Sequence, residues 1–277
     1  MAPLQLNESD TLQLIKILNE YGEKALLTKN IIQLSSPKPK NYLLEVWVDA
    51  WPNFNAVLVI YDWTVTEVTH ISYTYYEFSL KEESLLKLLQ TPGIVRCSSI
   101  KFPAILSERK TVVEEYMKSK DKFVKKCEMY NLYHLDENSL QSSVAPTNLN
   151  VGILTTEHLD DIADTWEQSS TEQVDSTKEY INVLINTFPN VCLCNSIEKV
   201  VAYGLGTDCG TIGYLHVNAN YRGRGCTKAL ISMLSAKYIE AGITPSVKIQ
   251  PENILSISVH EQIGYQSSGI VVYDMEF

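Results

Sequence analysis

One short run limits what this chain can fold into more than any other: TIGYLHVNANYRGRGCTKALI, from Thr211 to Ile231. Ile212, Tyr214, Leu215 and Val217 are strand-type residues, and Asn218, Ala219 and Asn220 interrupt them. Ala229, Leu230, Met233 and Leu234 then recur at helical spacing. Between strand and helix stands Arg222-Gly223-Arg224-Gly225-Cys226-Thr227. Glycines there let the backbone turn tightly and approach a ligand with no Cβ in the way. The first amides of a helix have no intrahelical acceptor, and the helix dipole favours negative charge beside them. Arg222, Arg224 and Lys228 add positive charge, on a chain whose formal net charge is −10. The run predicts a strand, a turn that cradles phosphate, and a helix.

The ligand is narrowed by what the turn is not. A nucleoside triphosphate loop needs G-x-x-x-x-G-K-[ST], and the sequence has no such run. A dinucleotide fingerprint needs a third glycine where Lys228 stands. Taken alone, a glycine-arginine turn before a helix also fits a solvated, capped bend. The stretch resembles motif A of the GNAT acyltransferases, [Q/R]-x-x-G-x-[G/A], with Arg222 and Gly225 in place and Thr227 at the small last position. After a strand expected over Val247–Gln250 comes Asn253-x-x-Ser256-x-x-x-His260-x-x-x-Gly264-Tyr265, similar to a second GNAT signature, N-x-x-A-x-x-x-Y-x-x-x-G-[FY]. Val48-Asp49-Ala50-Trp51-Pro52-Asn53-Phe54-Asn55, Ile185-Asn186-Thr187-Phe188-Pro189 and Asn220-Tyr221-Arg222 resemble segments of the glycine N-acyltransferase-like family in the same order. The resemblance runs over residues 5–270 and implies a GNAT fold that binds coenzyme A.

Composition narrows the partners. A pI near 5.0 argues against nucleic-acid binding through a broad basic face. The six cysteines, at 97, 127, 192, 194, 209 and 226, form no C-x-x-C pair, so reduced thiols and no metal are expected. No apolar run reaches the roughly 18 residues a membrane span needs, and MAPLQLNESD carries neither a basic flank nor a hydrophobic stretch. A cytoplasmic protein is expected, with mitochondria the alternative that the resemblance supplies. Oligomeric state is open.

Along the chain, a helix capped by Asn7 or Ser9 is expected to bury Leu12, Leu14, Ile15, Ile17 and Leu18 and to end near Gly22. Strands are expected over Tyr42–Val48, Ala56–Tyr61 and Tyr73–Phe78, with Trp51 and Phe54 packing at a Pro52 turn. Helices follow at Leu85–Leu89 and Glu108–Lys126, then a strand at Cys127–Leu135. Polar, proline-bearing Asp136–Asn150 is read as the domain boundary. The expected domains are 1–140, a linker 141–150, and 151–277. The second half runs helix (from Thr155 or Thr156 through Leu159, Ile162, Ala163 and Trp166), helix (Ser176–Asn186), strands at Val191–Cys194 and Val200–Gly206, then the opening run. A strand at Val247, the helix after Asn253 and a strand at Ile270–Met275 complete it. This is an α/β (α+β) order with a mixed, mostly antiparallel sheet. The first half reads as a degenerate second copy without the cradle.

The resemblance implies acyl transfer from a CoA thioester to a small amine such as glycine or another amino acid. Coenzyme would be held by backbone amides across Arg222, Gly223, Arg224, Gly225, Cys226 and Thr227. Main-chain groups of Leu215, His216 and Val217 would line the pantetheine arm, with Asn253 and Ser256 beside it. The tyrosine that family members use to protonate the thiolate is His260 here, and an imidazole with a reference pKa of about 6.5 can serve. The glutamate credited as base falls, counting back from Arg222, on Thr211, which cannot take a proton. His216 lies at odd spacing from 211 and faces the other way unless a bulge intervenes. Asp208, on a glycine-flanked loop, could reach in or activate a water. Two further readings stay open: an acyl-CoA-binding sensor that has lost catalysis, and transfer to a protein amine.

Overall fold

The computed structural model describes residues 2–35, 43–96, 98–166 and 174–277. In order these form β1 (Leu4–Gln5), α1 (Glu8–Leu18), α2 (Leu26–Leu34), β2 (Leu43–Val48), β3 (Ala56–Asp62), β4 (Tyr73–Ser79), α3 (Glu82–Gln90), β5 (Ile100–Leu106), α4 (Lys110–Lys118) and β6 (Lys126–His134). There follow β7 (Asn150–Gly152), α5 (Leu159–Ala163), α6 (Val174–Thr187), β8 (Asn190–Cys194), β9 (Val200–Gly206), β10 (Ile212–Val217), α7 (Cys226–Glu240), β11 (Ser246–Ile249), α8 (Ile254–Ile263) and β12 (Gln266–Glu276). Each half repeats one order, strand–helix–helix–three strands–helix–strand–helix–strand. The mixed, mostly antiparallel α/β architecture read from the sequence is the one observed. Tyr42 and Cys97 lie outside the described residues. No helix among them is long and apolar enough to cross a membrane.

The chain divides into two compact units, residues 1–131 with 269–277, and residues 132–268. The division cuts through β6 and β12, so the last nine residues count with the first unit, and 141–150 lies inside the second.

In the first unit, β1 to β4 pair antiparallel in sequence order, and β5 joins β4 in parallel. The end of β12 then lies antiparallel beside β5. Its Met275 and the terminal Phe277 are buried in a core with Leu58, Ile60, Tyr75, Leu85, Leu88, Phe102 and Met117. Asn7 caps α1, its side chain accepting from the Asp10 amide. That helix buries Leu14 and Leu18 and leaves Leu12 48% exposed, narrower than the expected face. Beyond a kink at Gly22 (φ 58°) comes α2, which has no capping residue to announce it. Strand β5 was not read from the sequence because Pro103 interrupts it. The structure absorbs the proline in a bulge, where Ala104 takes φ 69°.

Strands β4 and β5 pair at Tyr73–Ile100 and Thr74–Lys101 and then part. The gap is filled by side chains. Glu77 accepts from the Leu106 amide (3.3 Å) and from Ser79 Oγ (3.1 Å), while on the other edge of β5 Asp274 of β12 accepts from the Ala104 amide at the bulge (2.9 Å). Arg109 donates to Ser79 Oγ and to the Ser79 carbonyl. Burial pushes the Glu77 carboxyl up to about 7, against the opposing pull of the Leu106 amide, Ser79 and Arg109. A carboxyl raised in this way stabilises the fold fully below its unfolded value of about 4.5 and loses that contribution as pH rises through about 7. The urea midpoint of the wild type should therefore fall relative to that of Glu77→Gln between about pH 4.5 and 7. Parallel midpoints across this window would contradict the buried, proton-holding carboxyl.

Candidate functional site

In the second unit β10, β9, β8 and β7 form an antiparallel sheet in that order, with β10 at its edge. Strand β11 belongs to a different ladder, where it too is an edge strand. The end of β6 reaches it, and the Leu135 amide donates to the Pro245 carbonyl. Between β10 and β11 there is no strand pairing, although their Cα atoms approach within 8 Å. Each presents main-chain donors and acceptors on its open side. Helix α7 connects the two, and its start is the turn singled out in the sequence.

That turn is open to solvent. Arg222, Gly223, Arg224 and Gly225 are all exposed. Gly225 is the N-cap of α7 with φ 84°, and it supplies no side chain to cap the helix. Gly223 has φ 71°, and a Cβ built at either glycine would meet nothing within 4 Å. The left-handed backbone, not crowding, demands glycine, and the space a side chain would take is free for a ligand. No acidic residue occupies the first turn of α7. The matching helix of the first unit, α3, has Glu82 and Glu83 in its first turn and begins at Lys81 with ordinary extended backbone. Negative side chains there repel an anion from the dipole that would attract it. Of these two turns, the second-unit one presents no acidic side chain to an anion.

Arg222 does more than carry charge. Its Nε donates to the Val217 carbonyl at 3.0 Å, which ties the turn to the end of β10. That carbonyl was expected to serve the pantetheine arm, and here an arginine holds it. Arg224 lies over the Tyr221 ring at 5.6 Å, and the Cys226 thiol points to the Tyr221 carbonyl. Leu215 faces α7: a Cβ on the neighbouring Gly204 would run into Leu215 and Leu234.

The bulge on which His216 depended is present. Across the β10–β9 pair, Gly213 opposes Leu205 and His216 opposes Tyr203, so three steps on β10 match two on β9. Tyr214 absorbs the extra residue with φ 48°. Leu205 and Tyr203 share a face, so Gly213 and His216 do as well. The His216 ring stacks on Tyr203 (5.4 Å, 20°), next to the strand end that Arg222 holds.

Thr211 and Asp208 turn inward. Thr211 is buried, shares a hydrogen bond with Thr207 Oγ1 (2.8 Å), and its carbonyl accepts from Tyr238 (3.0 Å). Asp208 is 4% exposed and accepts from the Tyr180 hydroxyl at 3.0 Å, with Cys209 Sγ at 3.8 Å. The Tyr180 hydroxyl also meets that of Tyr214 at 3.3 Å, and Trp166 covers Tyr214 with ring centres 4.3 Å apart. Sequence reasoning passed over Trp166, Tyr180 and Tyr214. No spacing signals them, since they come from the end of α5, from α6 and from a bulge.

Asn253 caps α8, its side chain accepting from the Ser256 amide at 3.1 Å. The first residues of that helix, Ile254 and Leu255, are 67% and 78% exposed. His260 is 3% exposed and packs edge-on against Tyr265. Its Nδ1 lies 2.8 Å from the Ser256 carbonyl, which can only accept, so that nitrogen carries the hydrogen. Its Nε2 is buried with no hydrogen-bond partner among the described residues, and burial lowers the imidazole pKa. A neutral ring whose one proton is held by a main-chain carbonyl has none to give a thiolate. The geometry therefore departs from the expected acid role.

Residues 191–272 match the FR47-like protein family. Among solved structures, the chain is similar to a Drosophila protein at 15% identity and a TM-score of 0.79, over 99% of this chain and 98% of that one. It is similar to a tandem GNAT protein from the clavulanic acid biosynthesis pathway at 9% identity and a TM-score of 0.56, over 99% and 97%. A GCN5-related N-acetyltransferase from Kribbella flavida follows at 10% identity and a TM-score of 0.53, over 95% of each chain. No curated protein matches the sequence. The repeated element order, the two unpaired edges flanking α7 and these full-length likenesses together give the chain the tandem fold of the GCN5-related N-acetyltransferase superfamily, with an FR47-like segment in its second half.

Proposed function

We propose that the protein is an acyl-CoA-dependent N-acyltransferase that acts on a small amine and uses one coenzyme site per chain, in the second unit. The observation that carries this reading is the exposed turn at Gly223 and Gly225, which opens the helix between β10 and β11, two strands that approach without pairing with each other. Amides at the start of α7 and the Arg224 guanidinium would grip a diphosphate, the arginine through charge-assisted hydrogen bonds. The open side of β10 would pair with the amides of a pantetheine arm as another strand would. The corresponding gap in the first unit is filled by Glu77 and Arg109, which supports a single site.

Glycine or another amino acid as acceptor rests on the resemblance of the segments around Trp51, Phe188 and Arg222. A bound thioester supplies an electrophilic carbonyl and a thiolate leaving group. The protein must orient it, exclude water and take a proton from the acceptor ammonium. The sensor reading draws on Thr211 and His260, neither of which offers the expected proton chemistry.

Three measurements test this proposal. Acetyl-, benzoyl- or long-chain acyl-CoA at a hundred times its Kd should stabilise the protein by about 2.7 kcal/mol, with titration giving one site per chain. Release of free thiol that depends on an added amine would establish turnover, whereas binding without thiol release favours the sensor. Arg224→Gln should weaken coenzyme binding about tenfold, roughly 1.4 kcal/mol, and flatten its salt dependence. Gly225→Val, which forces a β-branched residue into left-handed backbone, should abolish binding. Affinity that survives both substitutions would move the site elsewhere.

A further inference from the structure

The acyl-transfer reading leaves one chemical need unmet, a base for the acceptor ammonium. Thr211 is sealed against Thr207, and His216 sits beside the diphosphate turn, at the opposite end of β10 from the Asp208 loop. Asp208 is at the right end of the strand but is buried. What links it outward is a run of hydroxyls. The single hydrogen of Tyr180 is donated to Asp208 Oδ1, so the contact between the two tyrosines is made by Tyr214 donating to Tyr180. Tyr214 is half-buried and occupies the bulge of β10, and Trp166 fixes its ring. The bulge gives this side chain a direction that regular alternation would deny it.

We propose that Tyr214, Tyr180 and Asp208 form a proton relay that replaces the missing carboxylate at position 211 in deprotonating the acceptor amine. This inference rests on the acyl-transfer reading. The ammonium gives one proton to the Tyr214 oxygen as Tyr214 passes its own to Tyr180 and Tyr180 passes its own to the Asp208 carboxylate. The freed amine attacks the thioester carbon and a C–N bond forms. The C–S bond then breaks as the tetrahedral intermediate collapses, and the second amine proton ends on the departing sulfur, giving free thiol. Asp208 returns its proton through the same chain to solvent. Burial first, and then the Asp208 carboxylate, hold the Tyr180 phenol well above its usual value, so it conducts the proton without ionising. Among the described residues, the Cys209 thiol is a further titratable group facing Asp208 and Tyr180. Tyr214 is the member that would touch the acceptor, while Tyr180 and Asp208 act through it.

Tyr214→Phe, Tyr180→Phe and Asp208→Asn each break one link at nearly constant volume. Thermal melting and acetyl-CoA titration of each variant establish that fold and coenzyme site are retained. Turnover is then compared for two acceptors at pH 7, an aliphatic amine that is protonated and hydroxylamine, which is largely neutral. The relay predicts that all three variants lose about a hundredfold or more in kcat for the aliphatic amine, with KM little changed, and keep most of the rate for hydroxylamine. Equal losses for both acceptors, or no loss in folded variants, would overturn the relay and leave acyl transfer standing. A wild type that binds acetyl-CoA but acylates neither amine would overturn the acyl-transfer reading and the relay with it. Should Asp208→Asn fail to fold, the half-exposed Tyr214→Phe carries the same comparison.

Discussion

Among the described residues strand β10 pairs with another strand, β9, on one side only. An unpaired strand edge is normally a liability, because its donors and acceptors invite another strand. Here the edge is short and bulged, and its far end is tied back by Arg222. Helix α7 then carries the chain away to β11 without closing the gap. A strand edge beside a helix start with left-handed glycines is where the proposed coenzyme, bearing both amides and phosphates, would find main-chain partners.

The first unit shows what closing the same gap requires. Its β4 and β5 part after two residue pairs, and the Leu106 amide so exposed is taken by the carboxyl of Glu77. Arg109 and Ser79 complete the hydrogen bonds of that filling. Burying a carboxylate costs free energy unless donors meet it, and Glu77 keeps its proton to higher pH as a result. The two halves therefore share an element order, and in the first unit side chains fill the space where the strands part.

The bulge at Tyr214 matters to both the binding surface and the chemistry. It brings His216 onto the face of Gly213, which regular alternation would not. It also directs Tyr214 to Tyr180 and Trp166. Two residues singled out for catalysis have other duties, since Thr211 closes a turn with Thr207 and His260 spends its proton on the Ser256 carbonyl.

By itself the sequence determined the locally encoded parts. Glycine with arginine before a helix marked the turn, Asn7 and Asn253 marked helix starts, and runs of apolar, β-branched and aromatic residues marked β2, β3, β4, β8 and β9. Each of these depends on residues a few positions apart, so composition and spacing suffice to read them. Strand β5 escaped because Pro103 is tolerated only at a bulge, and α2 because its burial, not a cap, makes it helical. Only the tertiary structure decided that residues 269–277 count with the first unit, that Glu77 fills the gap where β4 and β5 part, and that Tyr180 meets both Asp208 and Tyr214. Those outcomes turn on which distant segments come together and on a one-residue slip in register, and neither leaves a local mark in the chain.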